Sequence, residues 1–264
     1  MMVGMTTAKS QGDANSPEID HARADIGLVC ALAMELDPFF ERCTHVRAIK
    51  GSGMRFRGGR LDKLRVAAVE GGAGMDKARR ATQALIDGHR PDWVLSVGFA
   101  GGLVTGLNIG DVVVADEIVT DEPDGVSIAV AHGMPANPAK GLHVGRIVTC
   151  DRIIRTVEEK QRLARDLGAM ACDMETHAVA AACRDAGVRF MSVRAITDDL
   201  SADLPTEVHS LLSANTGARR AGAALGALWK RPESIKELWA LQGTAHKAAS
   251  RLAPFLESVL VQLG

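Results

Sequence analysis

What most narrows the folds open to this 264-residue chain is a repeated pairing of short, unbroken apolar runs with Ala-rich stretches at helical spacing. Runs rich in Val, Ile and Ala fall at residues 25–33, 64–69, 93–100, 111–115, 143–149 and 188–196, each bounded by Gly, Pro or charge. Apolar runs without alternation are strands buried on both faces, which happens when helices cover both sides of a sheet. Helical spacing follows at 76–87, 156–167 and 175–186. The alternation predicts an α/β fold, a single-domain mixed central sheet flanked by helices on both faces. Residues 55–69 carry two strand-like pieces around Leu61-Asp62-Lys63, a hairpin that makes the sheet mixed.

From Pro205 onward the strand signals stop. Helices are expected near 207–213, at 217–229 and after Pro232, so a helical C-terminal appendix begins at about residue 206. Residues 1–24 are polar and read as a disordered tail, leaving 25–264 as the domain. Residues 122–141 are rich in Pro and Gly and form a long surface loop.

Composition excludes several classes of function. The formal net charge is -1, with Lys and Arg scattered, so no field for nucleic acid or an anionic membrane develops. No run reaches the roughly 18 apolar residues of a spanning helix, and the N-terminus lacks a signal peptide's apolar stretch. The five cysteines are odd in number and form no CxxC, which fits a reducing, cytoplasmic compartment. The His residues are dispersed, so no metal is implied. There is no Tyr, and any base stacking must use Phe, Trp, Met, Ile or His. A small-molecule ligand is the expected partner.

Five short segments carry possible chemistry. Glu70-Gly71-Gly72-Ala73-Gly74 ends a strand and opens a helix; the free N–H groups of Gly72 and Gly74 there would hold an anion or a polarised water, or the glycines serve only tight packing. Ser96-Val97-Gly98-Phe99-Ala100-Gly101-Gly102 is a second glycine corner, and two such corners at strand ends mark one crevice. Asp173-Met174-Glu175 precedes a helix. Asp173 suits a cap, while Glu175 suits the paired hydroxyls of a ribose and Met174 its apolar face. Arg194-Ala195-Ile196-Thr197-Asp198-Asp199 ends a buried strand in carboxylates, where a desolvated Asp198 becomes a general acid. Glu35, isolated beyond the first strand, is a helix cap or a general base.

In this order the motifs resemble the nucleoside phosphorylase and nucleosidase superfamily, in particular its 5'-methylthioadenosine/S-adenosylhomocysteine nucleosidase-like branch, over about residues 25–199. Ser201-Ala202-Asp203-Leu204-Pro205 and Arg231-Pro232 are similar to a subgroup of hopanoid-associated phosphorylases. The resemblance implies cleavage of a purine nucleoside's N-glycosidic bond without a cofactor. Asp198 would protonate the purine N7 and Glu35 would activate water. Glu175 would hold the ribose hydroxyls, Met174 would pack on the sugar, and Gly98 would lie near the nucleophile beside Ala100. Arg194 would orient the acidic cluster, Asp173, Phe99 and Thr197 would stand among the substrate-binding residues, and Ile153 would stand where the family stacks a Phe. A homodimer is implied too.

Two departures bear on the nucleophile. Phe99 replaces a hydroxyl residue that binds phosphate or water in many members, and Ser96 stands near where phosphorylases place an Arg. Hydrolysis is the favoured reaction. Phosphorolysis, with phosphate as co-substrate and Arg55, Arg57 or Arg79 as the missing cation, is the alternative. A silent nucleoside-binding protein is a third reading, opposed by the presence of both an acid and a base.

Overall fold

The computed structural model describes residues 23–204 and 232–263; the tail before Arg23 and the helices expected near 207–213 and 217–229 lie outside the described residues. Ten strands form one mixed sheet in the order β10-β6-β8-β9-β5-β1-β4-β3-β2, with β7 paired to β6. At its centre β1 (Ile26–Cys30) lies parallel between β4 (Leu64–Glu70) and β5 (Trp93–Gly102). β5 also pairs in parallel with β10 (Arg189–Asp198). β10 meets β6 (Val112–Thr120), β6 meets β8 (Leu142–Thr149), and β8 meets β9 (Ala171–Asp173). Because β9 pairs back onto Gly101 and Gly102 of β5, these five strands close into a ring.

Both faces of the sheet are covered, which is why its central strands are apolar throughout. Side chains alternate across a strand. Ile26, Leu28 and Cys30 of β1 enter one core with α1 (Ala33–Phe40) and α5 (Pro232–Leu263), whereas Val29 enters another with α2 (Met75–His89) and α4 (Thr176–Ala186). The Ala-rich composition of α2 and α4 lets the two helices approach closely, through Ala78, Ala81, Ala178 and Val179. The remaining helix, α3 (Val157–Leu167), starts at a capping box in which the Thr156 hydroxyl accepts from the Glu159 N–H.

Three elements differ from the sequence expectation. The first strand ends at Cys30, and residues 33–40 form α1, a short helix disguised by the internal Pro38 that ordinarily reads as a breaker. The expected hairpin is present as β3 (Met54–Leu61) and β4, and β2 (Thr44–Gly51) extends it into a three-stranded meander across a turn whose Ser52 and Gly53 both take positive φ. β2 is exposed along its whole length, so no buried face betrays it in the sequence. The loop at 122–141 contains the two-residue strand β7 (Ile128–Ala129) and a 3-10 turn at Pro138–Lys140. Among the described residues no helix is long and apolar enough to cross a membrane.

Candidate active site

Glu35 lies in the first turn of α1 and is 5% exposed. Its Oε2 accepts from the N–H groups of Ala31 at 2.9 Å and Leu32 at 2.8 Å, and its Oε1 from the N–H of Phe99 at 3.2 Å. The β1–α1 corner therefore both caps the helix and fixes the carboxylate. Burial raises the Glu35 pKa; the Leu32 N–H and the Arg194 cation oppose the rise without cancelling it. Gly98 makes the arrangement possible, because a Cβ there would stand 2.7 Å from Glu35 Oε1.

Glu35, Ser96, Gly98, Glu175 and Arg194 line one small pocket together with Cys30 and Ala31. Glu175 precedes α4, and its Oε1 accepts from the Gly74 N–H at 2.8 Å. Burial, helped by the nearby Asp173 charge, pushes its pKa up to about 7. Arg194 is 2% exposed, and its Nε donates to Asp173 at 2.7 Å while Nη2 donates to Ser96 Oγ at 2.7 Å. Ser96 thus serves as an anchor for Arg194, a role with no signal in the sequence.

Asp173 belongs to the scaffold behind the pocket. Its carboxylate accepts from Arg194, from the Thr149 hydroxyl at 2.8 Å, and from both the N–H and the hydroxyl of Thr176. It is 6% exposed; the Thr176 N–H bond at the start of α4 is the capping contact expected of it, and the Arg194 bond makes it that cation's support. Gly72 and Gly74 do not form the expected anion corner. The Gly72 N–H donates to Ala31 O at 3.1 Å and the Gly74 N–H is taken by Glu175, so these donors are consumed within the protein. Their φ angles of 88° and 106° explain the glycines instead.

Phe99 contributes its backbone to Glu35, while its half-buried ring packs against the core beneath α1 and α5. Ala100 is buried, and Met174 and Ile153 are half-buried, Ile153 in the turn between β8 and α3. Asp198 ends β10 beside β5, where a Cβ on Gly101 would lie 3.0 Å from its Oδ2. The two glycines that leave room for Glu35 and Asp198 are three residues apart on β5, roughly 10 Å of strand. Thr197 Oγ1 donates to Asp198 Oδ1 at 3.0 Å. Asp198 Oδ2 accepts from Lys160 Nζ at 2.5 Å, a contact the sequence reading missed. Its signal is a Lys on the apolar stripe of α3, three residues from both Val157 and Leu163.

The three arginines considered as phosphate ligands are engaged. Arg57 is buried between Glu70 and Asp37, at 2.7 Å from each, and stacks on Phe40. Arg55 pairs with Glu70 at 3.5 Å and Arg79 faces Asp185 at 4.0 Å. None of the three lines the pocket.

The chain resembles known proteins in sequence and in fold. The sequence model of the phosphorylase superfamily matches residues 25–140 and 124–229. A 5'-methylthioadenosine/S-adenosylhomocysteine nucleosidase of Staphylococcus aureus is 29% identical over 195 residues, which cover 66% of this chain and 86% of that protein. Among solved structures, the Helicobacter pylori 5'-methylthioadenosine/S-adenosylhomocysteine nucleosidase in complex with a substituted pyrrolidin-3-ol superposes with a TM-score of 0.66 at 22% identity, over 90% of this chain and 97% of that one. Futalosine hydrolase of Helicobacter pylori gives 0.67 at 21% identity, over 90% and 97%. At these identities the solved structures bear on the fold alone.

Proposed function

The chain belongs to the phosphorylase superfamily, and from that premise we propose that it hydrolyses the N-glycosidic bond of a purine nucleoside, releasing the free base. The reading is carried by Glu35, a buried carboxylate of raised pKa, fixed by three backbone donors over the bare face of Gly98. A group so placed accepts a proton from water held at the Gly98 corner, and the resulting hydroxide attacks C1' as the glycosidic bond lengthens. Glu175 accepts from the ribose hydroxyls on the same pocket wall. Asp198 gives a proton to purine N7, so that the base departs neutral. Arg194, the buried cation nearest Glu35 and Glu175, balances their charge.

Water is favoured over phosphate as nucleophile because none of Arg55, Arg57 and Arg79 lines the pocket, and Arg194, the cation that does, is committed to Asp173 and Ser96. The likeness to 5'-methylthioadenosine/S-adenosylhomocysteine nucleosidases supports an adenine nucleoside with a modified 5' end as substrate. Incubating the protein with 5'-methylthioadenosine, adenosine and inosine, with and without phosphate, tests the reading. Free adenine and free ribose sugar without phosphate are expected. Release only with phosphate, yielding a sugar 1-phosphate, would replace hydrolysis by phosphorolysis; ligand binding without turnover would leave a nucleoside-binding protein.

A further inference from the structure

Lys160 is a long cationic side chain with 0% exposure, an uncommon state that demands a partner. It has two: Nζ donates to Asp198 Oδ2 at 2.5 Å and to the carbonyl of Asp199 at 2.8 Å. The surroundings are built to hold it there. The Val157 N–H at the start of α3 donates to Asp203 at 2.7 Å, and Arg155 and Leu204 exchange bonds of 2.9 and 3.1 Å, which stitch the segment after β10 to the start of this helix. The ammonium reaches Asp198 from one side and the Thr197 hydroxyl reaches it from the other.

Resting on the function proposed above, we infer that Lys160 is the positioning residue of leaving-group departure, acting through Asp198. In that step a proton that Asp198 has first taken up from water passes on: the Oδ1–H bond breaks, the N7–H bond forms, and the C1'–N9 electron pair leaves with the base. Asp198 ends as a carboxylate, and its new charge falls on a group whose other oxygen already faces the Lys160 ammonium. Lys160 keeps its protons throughout. A fixed cation aimed at developing charge in a buried site assists the transition state more than the ground state, and removing one such donor costs on the order of 10²–10³ in rate. The same pair keeps the carboxylate from turning away from the base.

The test uses Lys160→Met, which keeps the length and apolar bulk of the stem, and Lys160→Arg, which restores the charge, in the full chain. With 5'-methylthioadenosine, Lys160→Met should lower kcat about 100-fold or more with KM within threefold, and Lys160→Arg should recover at least tenfold of the loss. Melting temperatures and far-ultraviolet circular dichroism accompany both; should Lys160→Met not fold, Lys160→Gln takes its place. A kcat within threefold of wild type in the uncharged variant would overturn the assignment. So would a parallel loss of kcat and substrate affinity that arginine does not repair, the pattern of a merely structural lysine. Wild-type protein that releases no base from any nucleoside would refute the underlying reading, and this assignment with it.

Discussion

Gly98→Ala isolates the contact on which the proposed water activation depends. Gly98 does not lie in the left-handed region, so the substitution introduces no backbone strain and acts only through its added methyl. That methyl would sit 2.7 Å from Glu35 Oε1 and 3.2 Å from its carboxyl carbon, roughly half an ångström or more inside an ordinary contact. The carboxylate has nowhere to retreat, being held by Ala31, Leu32 and Phe99 N–H groups at 2.9, 2.8 and 3.2 Å. Overpacking of this kind costs about 2 kcal/mol. For a domain of this size that lowers the melting temperature by roughly 4–8 °C. A displaced base costs more in rate than in stability, and kcat should fall about 100-fold. Adding Glu35→Asp withdraws the carboxylate by one methylene; the double variant should regain much of the melting temperature and none of the rate. Calorimetry and base-release kinetics on the four proteins decide the matter. A Gly98→Ala protein that melts and turns over like wild type would refute the close approach of Glu35 to β5.

Glu175, with its pKa raised to about 7 from an ordinary 4.5, binds more protons folded than unfolded across that interval, so its contribution makes stability fall as pH rises from about 4.5 to 7. Glu175→Gln should remove that slope and be the more stable protein above pH 7, as read by denaturant titration at several pH values. If Glu175 holds the ribose hydroxyls as a carboxylate, wild-type KM should rise as pH drops below about 7. Among the described residues Arg57 is the one cation facing both Glu70, 9% exposed, and Asp37 of α1. Arg57→Met leaves Glu70 only its longer pair with Arg55 and should cost up to about 3 kcal/mol, visible as a lower urea midpoint, with a fall in kcat because α1 carries Glu35.

The strands buried on both faces were plain in the sequence because burial leaves no polar residue to interrupt them, as in Trp93–Gly102. The meander's outer strand was hidden for the opposite reason: a fully exposed edge has no pattern to read. Candidate residues were legible where charge stands against an apolar run, as with Glu35 and Asp198. What could not be read was which donors the fold itself consumes. The Gly72 and Gly74 N–H groups look free along the chain, yet they face Ala31 and Glu175, residues about 40 and 101 positions away in sequence. Asp173 likewise looked available until Arg194, Thr149 and Thr176 surrounded it. Lys160 was legible in principle, as a lone cation on an apolar helix face, but naming its partner required the tertiary contact with β10.

The closed circuit β5-β10-β6-β8-β9 has a mechanical meaning. Glu35 answers to β5 through the Phe99 N–H, and Asp198 belongs to β10. The distance between the two carboxylates is therefore set by neighbouring strands of one hoop. Pulling β10 from β5 is resisted by their own ladder and also by the three strands that complete the loop, so tension applied at one point spreads around the whole rim. A protein built this way sets the spacing of the Glu35 and Asp198 carboxylates when it folds.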